Sequence, residues 1–104
     1  PVQASEIALK RAGITFSDLD VIELNEAFSA QTLACIRAWG LDDDDSRINP
    51  NGGGISIGHP LGVTGSRILL AAARQLERTG GKYGLVTLCI GVGQGYAVVI
   101  KNTQ

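Results

Sequence analysis

The sequence predicts an α/β fold: a mixed, mostly parallel sheet with one antiparallel strand appended and helices on both faces. Three observations carry that prediction. Helix-period segments alternate with short apolar runs along the 104 residues, the pattern of parallel strands joined by helical crossovers. The last two apolar runs are separated only by Gly91-Val92-Gly93-Gln94, a link short enough for a hairpin and nothing else. The helical segment at 26–39 is apolar around most of its circumference, which requires cover on more than one side.

Residues 2–12 read as a helix: Ala4, Ile7 and Ala8 share a face, Lys10 and Arg11 close the last turn, and Gly13 stops it. Ser17 and Asp20 have capping-box spacing, which predicts a short turn over Ser17–Leu19. Val21–Leu24 is an apolar run suited to a buried strand, and Asn25 marks a strand-to-helix junction. Residues 26–39 read as a helix ended by Gly40, with Ala27, Phe28, Leu33, Ala34, Cys35, Ile36 and Trp39 around most of its surface. Asp42–Asp45 reads as a solvated acidic loop; four adjacent carboxylates lack the alternation of a calcium-binding loop. A brief strand is predicted at Ile55–Ile57, a long helix over 64–79 ended by Gly80-Gly81, and strands at Tyr83–Ile90 and Gly95–Lys101. The predicted order is therefore α-β-α-β-α-β-β. No repeat or low-complexity linker interrupts it.

Bulk properties narrow the function classes. A net charge of −1 gives no electrostatic reason for nucleic acid or an anionic membrane as partner. No apolar run is long enough to span a bilayer, and the start carries no signal-peptide pattern. Two cysteines are too few for a disulfide scaffold, which fits a reducing, cytoplasmic setting. Helical sequence begins almost at Pro1, without an initiating Met. The expectation is a single domain over 1–104 that belongs to something longer.

The 14 glycines fall mostly between Gly52 and Gly95, in clusters at apparent turns. Neither nucleotide-binding pattern is met. Gly58–Gly65 lacks the Gly-Lys-Ser/Thr of a P-loop, and Gly91–Gly95 has the wrong spacing and leads into a strand. Three polar or glycine-rich junctions follow apolar runs: Asn25-Glu26, Gly58-His59-Pro60 and Cys89-Ile90-Gly91. Ligands of open α/β sheets gather at the carboxyl ends of strands, so these junctions could share a pocket. His59, the sole histidine, could be a turn residue, or a base for a thiol and a donor to an oxyanion. Cys89 could be a small buried hydrophobe, or a nucleophile or acid/base beside exposed backbone amides. Asn25 could cap the next helix or hold a water or carbonyl oxygen. Cys35, mid-helix among apolar neighbours, belongs to the core.

Taken together, Asn25-Glu26-Ala27-Phe28, then Asn51-Gly52-Gly53-Gly54 leading to Gly58-His59-Pro60-Leu61-Gly62, then Cys89-Ile90-Gly91-Val92-Gly93-Gln94-Gly95 resemble the three C-terminal signatures of thiolases, in the same order and spacing. The Asn49-Pro50-Asn51-Gly52-Gly53 run and the Cys89–Gly95 run also resemble the 3-oxoadipyl-CoA branch. The resemblance covers essentially the whole chain. It implies the second of two similar halves, without its first strand, in a five-layer α/β stack whose sandwiched helix is the one at 64–79. It implies thiolytic cleavage of a 3-ketoacyl-CoA or the reverse Claisen condensation, in fatty acid or aromatic degradation, with coenzyme A as substrate and no permanently bound cofactor or metal.

By the same resemblance, His59 activates the cysteine that becomes acylated and, with a water held by Asn25, forms an oxyanion hole. Cys89 is the acid/base for the α-proton, and the Gly91 amide serves a second oxyanion hole. The acylated cysteine and the adenine-contacting loop belong to the missing N-terminal half, so the chain by itself is expected to be inactive. The implied partners are coenzyme A thioesters, that N-terminal half, and further copies in a homodimer or homotetramer, with no nucleic acid and no membrane. Two alternatives stand beside this reading: a non-catalytic thiolase-like assembly module, and a ketoacyl-synthase-like condensing enzyme, which ordinarily pairs its cysteine with two histidines or with His and Asn.

Overall fold

A computed structural model describes all of residues 1–104. Three strands, β1 (Val21–Leu24), β2 (Tyr83–Cys89) and β3 (Gly95–Lys101), lie in the order β1-β2-β3. β1 and β2 are parallel, with Val21 beside Gly84 and Leu24 beside Thr87; β2 and β3 form the expected antiparallel hairpin, Tyr83 facing Lys101 and Cys89 facing Gly95. Helices α1 (Val2–Ala12) and α2 (Ser29–Ala38) carry Leu9, Cys35 and Ile36 into a core with Ile22, Leu24 and Leu85. On the other face, α4 (Thr64–Thr79) lays Ile68, Ala72 and Leu76 against Val21 and Val86. The strands' two-residue alternation thus separates two cores, one per face.

Several elements form where sequence signals place them. α1 ends at Gly13, whose φ of 73° supplies the left-handed cap. α4 ends at Gly80 in the same way, with φ 70°. Cys35 is core, as expected.

Four expectations are corrected. The first turn is a 3₁₀ helix at Phe16–Asp18 with its capping box between Thr15 and Asp18, because Asp20 is engaged elsewhere: its Oδ2 accepts from the amides of Lys82 (2.6 Å) and Tyr83 (3.2 Å). α2 begins at Ser29, three residues later than periodicity suggests, since Asn25 continues the sheet through its amide to the Thr87 carbonyl (3.1 Å) and Glu26 reaches across to Ile55. α2 is also covered on one side only; Thr32, Cys35 and Ile36 are buried while Phe28 and Leu33 are exposed.

The strand expected at Ile55–Ile57 is instead a helical turn, α3 (Gly54–Ile57). The sheet edge it would have joined is taken by Arg47–Asn49. The Ile22 amide donates to the Arg47 carbonyl and the Asn49 amide to the Ile22 carbonyl, while the Asn49 side chain accepts from the Leu24 amide (2.9 Å) and donates to its carbonyl (2.8 Å). A carboxamide here replaces a strand. The sheet is mixed as expected, with one parallel strand pair, a further parallel bridge between Ile22 and Ile48, and one antiparallel strand appended at β3.

Candidate active site

β1 and β2 run the same way, so Asn25 and Cys89 leave the sheet at the same, carboxyl end. The start of α4 stands there too: Arg67 and Ile68 line a cavity with Asn25, whereas Leu76 lies at the opposite end against Gly81 and Gly84. His59 is tied to that start by Thr64, whose Oγ1 lies 2.7 Å from His59 Nδ1. The three residues expected to carry chemistry therefore share one end of the sheet. They make no hydrogen bond to one another. Along β2, Leu85 packs on the α1/α2 side and Val86 and Leu88 on the α4 side, so alternation gives Cys89 the α1 side and Asn25, two residues beyond Glu23, the α4 side.

Asn25 is the most unusual of the three. It is 2% exposed, and neither its Oδ1 nor its Nδ2 has a hydrogen-bond partner. The capping interpretation fails, because α2 is capped at Phe28 with no side-chain bond from Asn25. An unpaired buried amide costs about 1–3 kcal/mol, and its backbone is fixed by the sheet. Gly54 passes beside it so closely that a Cβ there would lie 3.2 Å from Asn25 Oδ1. The Gly52-Gly53-Gly54 run therefore serves close approach: at Gly53 a Cβ would collide with the Glu26 carboxylate, which accepts from the Ile55 amide (3.1 Å) and fixes the turn.

His59 is exposed at the rim, and its tautomer follows from donor counting. The Thr64 hydroxyl, fully buried, has one proton and donates it to the Pro60 carbonyl (3.0 Å), which can only accept. Toward the ring Thr64 must then accept, so Nδ1 carries the hydrogen, and in the neutral form of the ring Nε2 is the acceptor. Arg67 steadies the same loop by donating to the Gly58 carbonyl (2.6 Å).

Cys89 is half-buried at the end of β2. The turn that follows is closed by bonds from the Ile90 amide to the Gln94 carbonyl and from the Gln94 amide to the Gly91 carbonyl; the Gly91 amide itself donates to no backbone carbonyl. Gly91, Val92 and Gly93 all have positive φ (89°, 44° and 75°). For a β-branched residue such as Val92 this is strained by roughly 1–3 kcal/mol.

Residues 1–102 match the family described as the thiolase C-terminal domain. The chain belongs to the thiolase family. It is 57% identical over 102 residues to the beta-ketoadipyl-CoA thiolase of Acinetobacter baylyi and 54% identical to the 3-oxoadipyl-CoA/3-oxo-5,6-dehydrosuberyl-CoA thiolase of Escherichia coli, in each case over 98% of this chain and 25% of the relative. The structure superposes on human mitochondrial 3-ketoacyl-CoA thiolase, solved in complex with CoA, with a TM-score of 0.95 and 50% identity, over 100% of this chain and 26% of that one. The chain thus spans about a quarter of the length of the thiolases it matches. The matched region contains every thiolase signature described above.

One notable residue gives little signal in sequence. Glu23 lies inside the Val21–Leu24 run yet is only 4% exposed. Burial foremost, then the neighbouring Glu26 charge, pushes its carboxyl up to about 7, while Arg67 pulls the other way. A carboxylate within an otherwise apolar strand is the clue that could have found it. The acidic loop, by contrast, is structural at its paired members: Asp43 meets Arg37 (2.7 Å) and Asp45 meets Arg47 (2.7 Å), which holds both carboxyls below their ordinary range. No three His, Cys, Asp or Glu side chains lie together as a metal-ligand set.

Proposed function

We propose that the protein carrying this chain is a cytoplasmic, oligomeric thiolase that exchanges an acyl group between coenzyme A and a 3-ketoacyl-CoA, of the 3-oxoadipyl type named by its relatives in Acinetobacter baylyi and Escherichia coli. The single observation that carries the catalytic assignment is the unpaired, fully buried Asn25 amide at the sheet end that also bears His59 and Cys89. Such a group is worth its cost where it serves a reacting molecule.

In the proposed reaction His59 Nε2 takes the proton from the thiol of an acylatable cysteine supplied by another part of the protein. That sulfur attacks an acyl-CoA carbonyl, the acyl–CoA sulfur bond breaks, and His59 returns the proton to the departing coenzyme A thiolate. Asn25, through a held water, and His59 then stabilise the enolate oxygen that forms when Cys89 removes the α-proton of the acetyl thioester. The carbanion attacks the acyl carbonyl, its oxygen facing free amide donors such as Gly91, and the acyl–sulfur bond breaks as the new carbon–carbon bond forms. Thiolysis is the reverse, with Cys89 returning the proton. Coenzyme A is a substrate here, and no permanent cofactor is required. The acyl cysteine and the coenzyme-binding loop are proposed to come from an N-terminal half seated on the apolar rim and on the outer side of α4, where Phe28, Leu61, Leu70 and Val92 are exposed. The intact signatures and identities above 50% to named thiolases favour an enzyme over an assembly module, and the single histidine paired with Cys89 favours thiolase over ketoacyl synthase.

The test separates two half-reactions in the intact enzyme. Cys89→Ser is expected to lose carbon–carbon bond formation by about 10²–10⁴-fold, the usual worth of a general acid/base, while acylation of the nucleophilic cysteine persists. Equal losses in both steps would remove Cys89 from its role. The isolated 104-residue chain is expected to show no turnover.

A further inference from the structure

The cavity beside Asn25 has a second occupant of its wall that the proposed chemistry does not use. Its volume is about 100 Å³, and Glu23, Asn25, Asn49, Asn51 and Arg67 are among its lining residues. Glu23 and Asn25, two apart on β1, project to the same side of the sheet, beneath the first turns of α4. Glu23 is in no ion pair; Arg67, the nearest cation in the wall, gives its guanidinium to the Gly58 and Ile57 carbonyls and keeps a buried, unpartnered Nε. Four buried polar functions thus face one small enclosed space: a carboxyl, both ends of an amide, and a guanidinium N–H. A space of that size accommodates more than one water, and such waters take two to four polar partners each.

We propose that Glu23 is a positioning residue for Asn25: its carboxyl holds buried water between itself and the Asn25 amide and so fixes which amide atom faces the reacting thioester. The amide has two chemically opposite ends, and an unheld carboxamide can present either. Its backbone is locked to Thr87, so only rotation of the side chain is left to be decided. A carboxyl in the same wall breaks the symmetry: as a carboxylate it accepts from the shared water, leaves that water's lone pairs to the amide N–H, and by its negative charge disfavours the amide oxygen on that side, while a protonated carboxyl can also donate. Glu23 changes between those states near pH 7. The charged groups around it are Glu26, following β1, and Arg67 on α4; its β2 neighbour is Val86, and the 49–54 segment contributes only Asn, Pro and Gly.

The inference rests on the thiolase reading, and a double-mutant cycle on the intact enzyme separates the two. Asn25→Ala, Glu23→Leu and the pair are compared for kcat and KM, with Glu23→Gln as the conservative replacement. Glu23→Leu is expected to lower kcat about 10–100-fold, the range for a residue that orients another, with KM nearly unchanged. Added to Asn25→Ala it should cost almost nothing more, because its effect passes through the amide. Glu23→Gln should retain most of the rate. Multiplicative losses, or an unimpaired Glu23→Leu enzyme, overturn the proposal. A normal Asn25→Ala enzyme overturns the site assignment instead. If Glu23→Leu does not fold, Glu23→Ala takes its place in the same cycle, and losses that multiply with that of Asn25→Ala refute the role. A crystal structure of the intact enzyme adds a direct reading, with water expected within hydrogen-bond distance of both side chains and its absence counting against the proposal.

Discussion

The two ends of the sheet are built on opposite principles. At the amino end the polar groups where β1 and β2 begin are tied. The Asp20 carboxylate receives the Lys82 and Tyr83 amides, the Asn102 side chain donates to the Gly81 carbonyl (3.1 Å), and Gly81 packs so tightly on Asp20 that a Cβ would lie 2.8 Å away. At the carboxyl end the amide of Asn25 is buried and unpaired, Glu23 is buried without an ion pair, Val92 is held at positive φ, and Leu61 and Val92 are 85% and 95% exposed. One end is optimised for the folded chain. The other carries costs that the chain alone does not recover, which marks it as the end that meets something else.

Substitutions at each end should behave accordingly, and the largest effect is expected at Asn25. Asn25→Ala in the intact enzyme removes the proposed oxyanion contact and should lower kcat by about 10²–10³-fold, yet leave stability equal or higher, because an unpaired buried amide is deleted. A large loss of stability with unchanged turnover would reverse the contrast between the ends. Next comes Thr64→Val, which keeps shape but removes the acceptor for His59 Nδ1–H. A loss of about 10–100-fold in kcat is expected, with KM nearly unchanged and Thr64→Ser restoring the rate; failure of Ser to rescue would make Thr64 a packing residue only.

Glu23 contributes to stability with a definite sign. Its folded carboxyl titrates near 7 against an ordinary value of 4.5, so between those pH values the native state binds more protons than the unfolded one and stability falls as pH rises. Glu23→Gln should therefore be more stable than the natural chain by on the order of 2 kcal/mol at pH 8 and indistinguishable from it at pH 4. Urea unfolding at the two pH values measures this, and a pH-independent difference would place the carboxyl in water. The smallest effect is expected at the amino end. Asp20→Ala should cost about 1 kcal/mol through two lost charge-assisted bonds and leave kcat and KM untouched.

Much of this architecture was legible because it is local. Helix stops at Gly13 and Gly80, the full extent of 64–79, the hairpin around Gly91–Gln94 and the core location of Cys35 all follow from periodicity and turn chemistry within a few residues. Misread segments share a different cause. Ile55–Ile57 has strand-forming residues but no free edge to join, since Arg47–Asn49 occupies it. Ala27 and Phe28 have helical periodicity, but Glu26 is drawn 29 residues along the chain to cap another turn. Asp20 had capping spacing to Ser17 but a better pair of donors 62 and 63 residues away.

The sequence by itself determined the α/β class, the two-sided burial of the strands and the three signatures that place the chain among the thiolases, because these depend on residue order and spacing alone. Only the tertiary structure decided that Asn25 is an unpaired buried amide and not a helix cap, that Thr64 sets the His59 tautomer, and that Glu23 shares a cavity with Asn25. Those facts depend on which distant groups compete for each donor and acceptor, and that competition is settled when the chain packs.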